Sequence, residues 1–407
     1  MIFRLAFRNL VRRPMQSFLA AGAVGGSLMI LITITNFQEG AWFNVVRDTV
    51  RAAAGHVVVQ PKGYQKSKDP ELLISQSKAL AIRLAQANPQ TTVLRRIFVG
   101  GMIASPNNSV AVALNGVEPE AEKAVSQIPD KLKEGEWLKA DADGEVIIGV
   151  TLAKRLQVGI GDKVVVTSSR KGELQGFPFR VAGTFEVGSA AMDAFFVLAT
   201  LSAVQNLIPD VEDPATQVAV QVADFEAPRS LLGAVTKAAG DGFEVLPWEE
   251  ALPALYNTRK LDRVSNAVTL GFLAILSTIG ILNVLLMSLF QRTREMGMLQ
   301  ALGMRPFGLT KLLMAEGLLL GVFGMVMGLS LGLAISYPLV EYGFDYSMMQ
   351  DATPVSGVAL DTHIKGIYAW SHTIAWTVAH VFFAVLASVW PALRAGRLEA
   401  VDSLRAT

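Results

Sequence analysis

The chain has 407 residues, no cysteine, a net charge of +1 and a composition that is 51% hydrophobic but only 17% charged. Soluble proteins carry about a quarter charged residues, so the composition argues against a wholly soluble chain. The balanced charge excludes a global basic field for nucleic acid, and the lack of cysteine excludes disulfides, cysteine-based zinc sites and thiol catalysis.

The first 13 residues combine a basic and an apolar face. Arg4, Arg8 and Arg12 recur every four residues, while Phe3 and Phe7 fall on the other side. This spacing predicts an amphipathic helix over 1–13 that lies along the inner membrane interface. An ordinary basic flank is the alternative interpretation.

Four long uncharged segments each exceed the roughly 20 residues that a helix needs to cross a bilayer. The first is followed by no small-residue cleavage site, which argues against the alternative of a cleaved signal peptide. The segments are Met15–Phe37, Asn266–Phe290, Gly317–Val340 and Gly366–Leu393. They predict transmembrane helices over 14–37, 266–290, 311–340 and 366–393.

The polar middle of the chain, 38–265, predicts a domain outside the membrane. Helical spacing continues over 38–53 and 249–265, which we expect to extend the spans as stalks. Between them, valine-rich strands alternate with helices such as Glu71–Ala87, which is typical of an α+β domain. Turn signals concentrate in 118–215 and indicate an inserted lobe. The predicted fold class is membrane α-helical, with four transmembrane helices and a large α+β extracytoplasmic domain inserted between helices 1 and 2.

Basic residues set the predicted orientation. They cluster before the first span, in the loop 291–310 and in the tail 394–407. Four spans place all three clusters on one side, which is the cytoplasmic side by the positive-inside rule. Both termini are therefore expected inside, and the middle domain and the loop 341–365 outside.

No catalytic or metal-binding constellation is evident. The one histidine of the middle domain, His56, stands at a strand start and is interpreted as structural. Asp141, Asp143 and Glu145 alternate like a calcium loop but lack the rest of that pattern, so they predict a solvated turn. The phosphate-binding pattern G-x-x-x-x-G-K-[ST] is also missing. We predict a non-catalytic chain without a cofactor or metal of its own.

The loop after the second span begins QRTREMGMLQALG. It has helical propensity, a charged start and apolar residues, but it is too short to form its own core. One interpretation is a helix that enters a groove on a cytoplasmic partner, and the other is a solvated basic connector. The pattern alone leaves both open.

This layout and loop resemble the MacB/FtsX/LolC–LolE family of ABC transporter permeases. The family's loop is similar to R-x-R-E-x-G-x-L-x-A-L-G, and a glutamate early in span three is matched by Glu316. The N-terminal segment and the tail around Pro391 are similar too, although Ala400 replaces the family's second proline. The loop residues that match are Arg292, Arg294, Glu295, Gly297, Leu299, Ala301, Leu302 and Gly303.

The resemblance implies a homo- or heterodimer of permease subunits in the bacterial inner membrane, bound to two copies of a separate cytoplasmic ATPase that holds ATP and magnesium. The loop 291–310 would be the coupling helix, and ATP-driven motion would reach the outer domain through the spans, a mechanism called mechanotransmission. The outer domain would comprise a discontinuous porter-like lobe, at about 54–117 and 216–248, and the inserted β-rich lobe at about 118–215.

Several functions fit this family. Chain length, His56 and the long loop 341–365 resemble the lipoprotein-releasing LolC/LolE type, which works with a periplasmic carrier, although Ser168–Pro178 is short for a carrier-binding hook. A MacB-type exporter with a periplasmic adaptor, an FtsX-like regulator of a cell-wall hydrolase and a simple scaffold are the alternatives.

Polar residues within the spans are costly and are candidates for function. They are Glu316, His372 and His380. Small residues at close helical spacing permit tight helix contacts, either within the chain or across a dimer. These are Gly22, Gly25, Gly26, Gly317, Gly321, Gly324, Gly328 and Gly332.

Overall fold

The computed structural model describes residues 2–12, 14–170, 173–187, 190–222, 228–291, 293–345 and 363–396. Four helices in these ranges are long and apolar enough to cross a membrane by length and composition. The helices are α1 (Ile2–Arg12), α2 (Pro14–Ala53), α3 (Tyr64–Ser67), α4 (Ser77–Ala87), α5 (Pro119–Lys123), α6 (Val150–Leu156), α7 (Ala190–Phe195), α8 (Leu201–Gln205), α9 (Pro228–Ala239), α10 (Trp248–Ala251), α11 (Pro253–Gln291), α12 (Thr293–Ala301), α13 (Pro306–Glu341) and α14 (Trp370–Gly396).

The described strands form two sheets. The larger has ten strands in the order β10-β1-β9-β2-β3-β8-β5-β7-β4, and β6 pairs with both β2 and β7. The strands are β1 (Val57–Pro61), β2 (Thr91–Ala104), β3 (Ser109–Val117), β4 (Leu132–Gly135), β5 (Glu145–Gly149), β6 (Lys163–Arg170), β7 (Glu173–Phe185), β8 (Phe196–Thr200), β9 (Gln217–Val222), β10 (Phe243–Pro247), and the two-residue pair β11 (Phe344–Asp345) and β12 (His363–Ile364).

The chain divides into two compact units. We call Met1–Trp42, Lys260–Phe344 and Lys365–Thr407 the helical unit, and Phe43–Arg259 with Asp345–Ile364 the sheet unit. The division falls within α2, which continues unbroken from one unit into the other. The second predicted stalk is interrupted, because Leu252 has non-helical backbone angles between α10 and α11.

The sheet unit has one large hydrophobic cluster and a smaller one, which includes Ile128, Leu138 and Phe185 of the expected lobe over 118–215. Within that range, β8 pairs with β3 and β6 pairs with β2, so the strands join the flanking ones in one sheet. Val57, Leu114, Ile148 and Val218 come from both sides of the expected division and are fully buried in the same hydrophobic cluster. The expected lobe is therefore continuous with its flanks through the sheet, while part of it has a hydrophobic cluster of its own.

Glycines bring α13 close to two other helices of the helical unit. A Cβ added to Gly324 would lie 2.6 Å from the Cβ of Val24 on α2, and one added to Gly321 would lie 2.9 Å from the Cβ of Ala384 on α14. Only glycine permits backbones to approach this closely. These glycines of α13 therefore serve helix packing within the chain, which is the first of the two interpretations left open by the sequence.

Candidate functional site

The short helix α12 lies between α11 and α13 and ends in a tight glycine cap. Gly303 has a φ of +96°, in the left-handed region that favours glycine. Its N–H donates to the carbonyl of Gln300 at 2.9 Å, and the N–H of Met304 donates to the carbonyl of Leu299 at 3.0 Å. This pair of bonds is the Schellman motif, which satisfies the last carbonyls of a helix and turns the chain sharply.

One side of α12 is anchored in the helical unit. Met296 is 3% exposed and packs in a cluster with Ala6 of α1, Leu309 of α13 and Ala395 of α14. Gly297 is buried beside it, and Leu299 is half-buried against the same cluster. Because residues of α1, α13 and α14 share this cluster with Met296, a displacement of α12 would disturb its packing.

The opposite side of α12 and the start of α13 expose large apolar side chains. Leu302 is 85% exposed, and Met298 and Phe307 are also exposed. The ammonium of Lys311 lies 4.5 Å from the centre of the Phe307 ring, a cation–π contact. We call Met298, Leu302 and Phe307 the docking surface, because exposed apolar patches bordered by charge are typical of protein contacts.

The predicted coupling residues divide between these two sides. Ala301 and Leu302 are exposed, whereas Gly297 and Leu299 face the helical unit and support α12. Gly303 shapes the end of the helix. Arg292 lies outside the described residues, as do the side chains of Arg294 and Glu295, whose backbone belongs to α12.

Glu316 is buried in α13 and linked to the N-terminal helix. The side-chain amide of Asn9 on α1 donates a hydrogen bond of 2.8 Å to Oε1 of Glu316. A buried carboxyl requires such a partner, since an unsatisfied one costs several kcal/mol in an apolar medium. The sequence analysis missed Asn9, although an amide in an otherwise apolar or basic helix was an available signal.

The two intramembrane histidines have different surroundings. His380 on α14 is buried, and its Nε2 lies 3.2 Å from the hydroxyl oxygen of Ser27 on α2. His372 is exposed two turns earlier on α14. The described residues contain no group of three or more His, Cys, Asp or Glu that would hold a metal ion. Glu316, His372 and His380 therefore form no metal site among the described residues, and Glu316 and His380 each have a polar neighbour on another helix.

Asn36 is a second polar link that the sequence analysis missed. Its side-chain amide donates to the hydroxyl of Ser336 on α13 at 3.1 Å, and its side-chain oxygen accepts from the N–H of Ala369 at 3.0 Å. Asn36 and Ser336 are buried, so the contacts are shielded from competing water. They join α2, α13 and the start of α14.

Comparison with known families decides the identity of the fold. A model described as the MacB-like periplasmic core domain matches residues 17–238, and one described as the FtsX-like permease C-terminal region matches residues 267–400. The chain belongs to the MacB/FtsX family of ABC transporter permeases. This confirms the predicted family and the fold class of four apolar helices with a sheet-rich domain between the first two.

The relatives of this permease include proteins named for lipoprotein release and proteins named for macrolide export. It is 21% identical to the lipoprotein-releasing system transmembrane protein LolC of Xylella fastidiosa (strain 9a5c), over 97% of this chain and 95% of that protein. It is 21% identical to the LolE protein of the same system in Haemophilus influenzae, over 78% of each chain. It is 24% identical to the macrolide export ATP-binding/permease protein MacB of Nitrobacter winogradskyi, over 64% of this chain and 38% of that protein.

Proposed function

We propose that this permease binds a separate cytoplasmic ABC ATPase and relays ATP-driven motion to its sheet unit, and that its task is the release of lipoproteins from the bacterial inner membrane. The docking surface on α12 is the observation that carries the proposal. An exposed apolar helix face whose other side is packed against three helices is suited to receive force from a partner and pass it on.

The contact with the ATPase is expected to follow helix-in-groove recognition. Leu302 and Met298 would enter an apolar groove, and the predicted coupling residues Arg292, Arg294 and Glu295 belong to the same loop. Two ATPase copies, each with ATP and magnesium, would serve a pair of permease subunits. The permease itself would remain non-catalytic.

A second permease subunit, identical or related, has a candidate surface on α11. This helix exposes a long apolar face whose members recur every three or four residues. Its exposed members are Leu261, Val264, Val268, Phe272, Ile275 and Ile279. Pairing of two such faces would bring two copies of α11 together, with both chain termini in the cytoplasm and the sheet unit in the periplasm.

The full-length similarity to proteins named for lipoprotein release supports that substrate class. The segment Ser168–Pro178 is short for a carrier-binding hook. Its described residues belong to β6 and β7, in which Lys163 to Arg170 pair with Arg180 to Glu173. Leu174 of β7 is 77% exposed and is available to a periplasmic carrier.

Export in the manner of MacB, with a periplasmic adaptor, is the second candidate. The match to a MacB protein over 64% of this chain favours it. An FtsX-like regulator of a cell-wall hydrolase is a further candidate, since residues 267–400 match the FtsX-like permease C-terminal model. These candidates differ in what the sheet unit contacts, and a bound lipoprotein, adaptor or hydrolase would distinguish them.

The ATPase contact is tested by replacing Leu302 with aspartate and purifying the tagged permease from membranes. A charge on the docking surface should abolish co-purification of the ATPase, because burying an unpaired carboxylate in an apolar groove costs several kcal/mol. Leu174→Asp is the matched control, since Leu174 is nearly as exposed but lies in the sheet unit. Full ATPase recovery with Leu302→Asp would refute the docking assignment.

The substrate class is tested separately with the wild-type permease and its ATPase in proteoliposomes. ATP-dependent transfer of a lipidated protein to a soluble carrier is expected. Absence of transfer, with a periplasmic adaptor retained instead, would favour the export function.

A further inference from the structure

The outer end of α2 is held by side chains from two central strands. The carbonyl of Arg51 accepts a hydrogen bond of 2.7 Å from Nη2 of Arg96 on β2 and one of 3.2 Å from the amide of Gln221 on β9. The carbonyl of Ala53 accepts from the amide of Gln217 at 2.7 Å. The last carbonyls of a helix have no partner within the helix. Here buried side chains satisfy two of them, and we call Arg96, Gln217 and Gln221 the socket.

A buried ion pair fixes the central member of the socket. Arg96 and Glu122 are 1% and 2% exposed, with Nε 3.1 Å from Oε2 and Nη2 2.8 Å from Oε1. Burial raises the pKa of Glu122, and the adjacent Arg96 guanidinium opposes that rise. Such pairs add little stability over an apolar replacement, but they hold a fixed geometry. The guanidinium charge also complements the negative end of the helix dipole.

The chain passes from α2 into the sheet within three residues. Gly55 takes a left-handed φ of +77° and ends the helix. The N–H of His56 then donates to the carbonyl of Val220 at 3.0 Å, and the ring Nδ1 of His56 accepts from the N–H of Val222 at 3.2 Å. The next residues form β1, which is buried between β9 and β10. No flexible linker separates α2 from the middle of the sheet.

The helix α11, which contains the second predicted span, is connected to the sheet in a different way. The backbone of Leu252 is non-helical, with φ −120° and ψ 63°, and it separates α11 from the four-residue helix α10. The preceding strand, β10, is at the edge of the sheet. The carbonyls of Glu250 and Ala251 accept 2.9 Å bonds from the partly exposed amide of Gln65. A one-residue break beside an edge strand is a position where a hinge can bend.

We infer that the outer end of α2 is a rigid joint that delivers force to β2 and β9, and that Leu252 is the hinge. Arg96, Gln217 and Gln221 are thus positioning residues for transmission. This inference rests on the proposed function, because it assumes that ATP-driven motion reaches the sheet unit.

The first test needs no substitution. Amide hydrogen exchange is measured on the full permease with its ATPase, with and without ATP and vanadate. We expect residues 50–57 to stay equally protected in both states, while exchange changes at least fivefold near 252 and in β2 and β9. Loss of protection at 50–57 in the trapped state would overturn the rigid joint. If wild type shows no nucleotide-dependent change anywhere in the sheet unit, the proposed function itself fails.

The second test removes the socket amides with Gln217→Leu/Gln221→Leu, which leaves the Arg96–Glu122 pair intact. The nucleotide-dependent change in hydrogen exchange at β2 and β9 should fall at least fivefold, while ATPase binding and ATP hydrolysis stay near wild type. The thermal midpoint should fall modestly, because buried carbonyls lose their donors. Gln65→Leu is the matched control and should keep the response. A full response in the double variant would refute the socket. If that variant does not fold, Arg96→Met/Glu122→Met replaces it, with the same expected loss and the same refuting result.

Discussion

Gly55 carries two constraints at once. Its φ is +77°, and an added Cβ would stand 2.9 Å from the Cβ of Ala219. We expect Gly55→Ala to destabilise the sheet unit by about 2–4 kcal/mol, from backbone strain together with crowding. Gly63→Ala is the control, because Gly63 has a φ of +86° but open space around it. Thermal unfolding should show a clearly larger loss for Gly55→Ala, and equal losses would contradict the steric contribution.

The pKa of Asp213 allows a prediction of how the stability of the fold depends on pH. Partial burial raises the pKa of Asp213, but the N–H of Lys78, the amide of Gln205 and the guanidinium of Arg95 together lower it below its usual value. A carboxyl with a lowered folded-state pKa stabilises the fold above about pH 4, and this contribution is lost as the pH falls through the folded-state pKa.

Asp213→Asn should therefore destabilise the permease by about 1–2 kcal/mol at pH 7. The difference from wild type should shrink below about pH 4, where the wild-type carboxyl becomes protonated. Thermal midpoints between pH 3 and pH 7 measure both effects. A constant difference across this range would show that the charge of Asp213 is not responsible.

Helix packing in the helical unit is tested by two adjacent glycines of α2. A Cβ on Gly25 would lie 2.8 Å from the carbonyl oxygen of Gly324, whereas one on Gly26 would meet nothing within 4 Å. Gly25→Ala should push α2 from α13 and cost about 1–3 kcal/mol. Gly26→Ala should be neutral or stabilise by up to about 1 kcal/mol, since alanine is the better helix former. In detergent, the thermal midpoint should fall for Gly25→Ala and stay equal or rise for Gly26→Ala. Equal shifts of the two midpoints would contradict the packing argument.

Element boundaries show where local sequence is insufficient. Helical spacing predicts a helix from Glu71, but α4 begins at Ser77 because Ile74 pairs with Ala215 and Asp213 accepts from the N–H of Lys78. Strand β8 is a short apolar run that acquires its conformation from pairing with β3 and β5. In each case a partner more than 50 residues away decides the local structure.

The orientation of the whole molecule is open to a direct test, because the sequence contains no cysteine. Leu302→Cys and Asn107→Cys place single thiols on the docking surface and on the exposed turn between β2 and β3. A membrane-impermeant maleimide should label Asn107→Cys in spheroplasts and label Leu302→Cys only after permeabilisation. Labelling of Leu302→Cys in sealed spheroplasts would reverse the proposed topology and remove the cytoplasmic ATPase contact.

The sequence by itself determined the four membrane segments, because a bilayer core demands about 20 apolar residues whatever the neighbours are. It also determined the family, through the loop motif from Arg292 to Gly303. Tertiary structure alone decided that Asn9 partners Glu316, that strands within 118–215 join one sheet with their flanks, and that Leu302 is exposed while Leu299 is half-buried. Hydrophobic length is a local property of the chain, whereas these pairings join residues distant in sequence and depend on which surfaces meet.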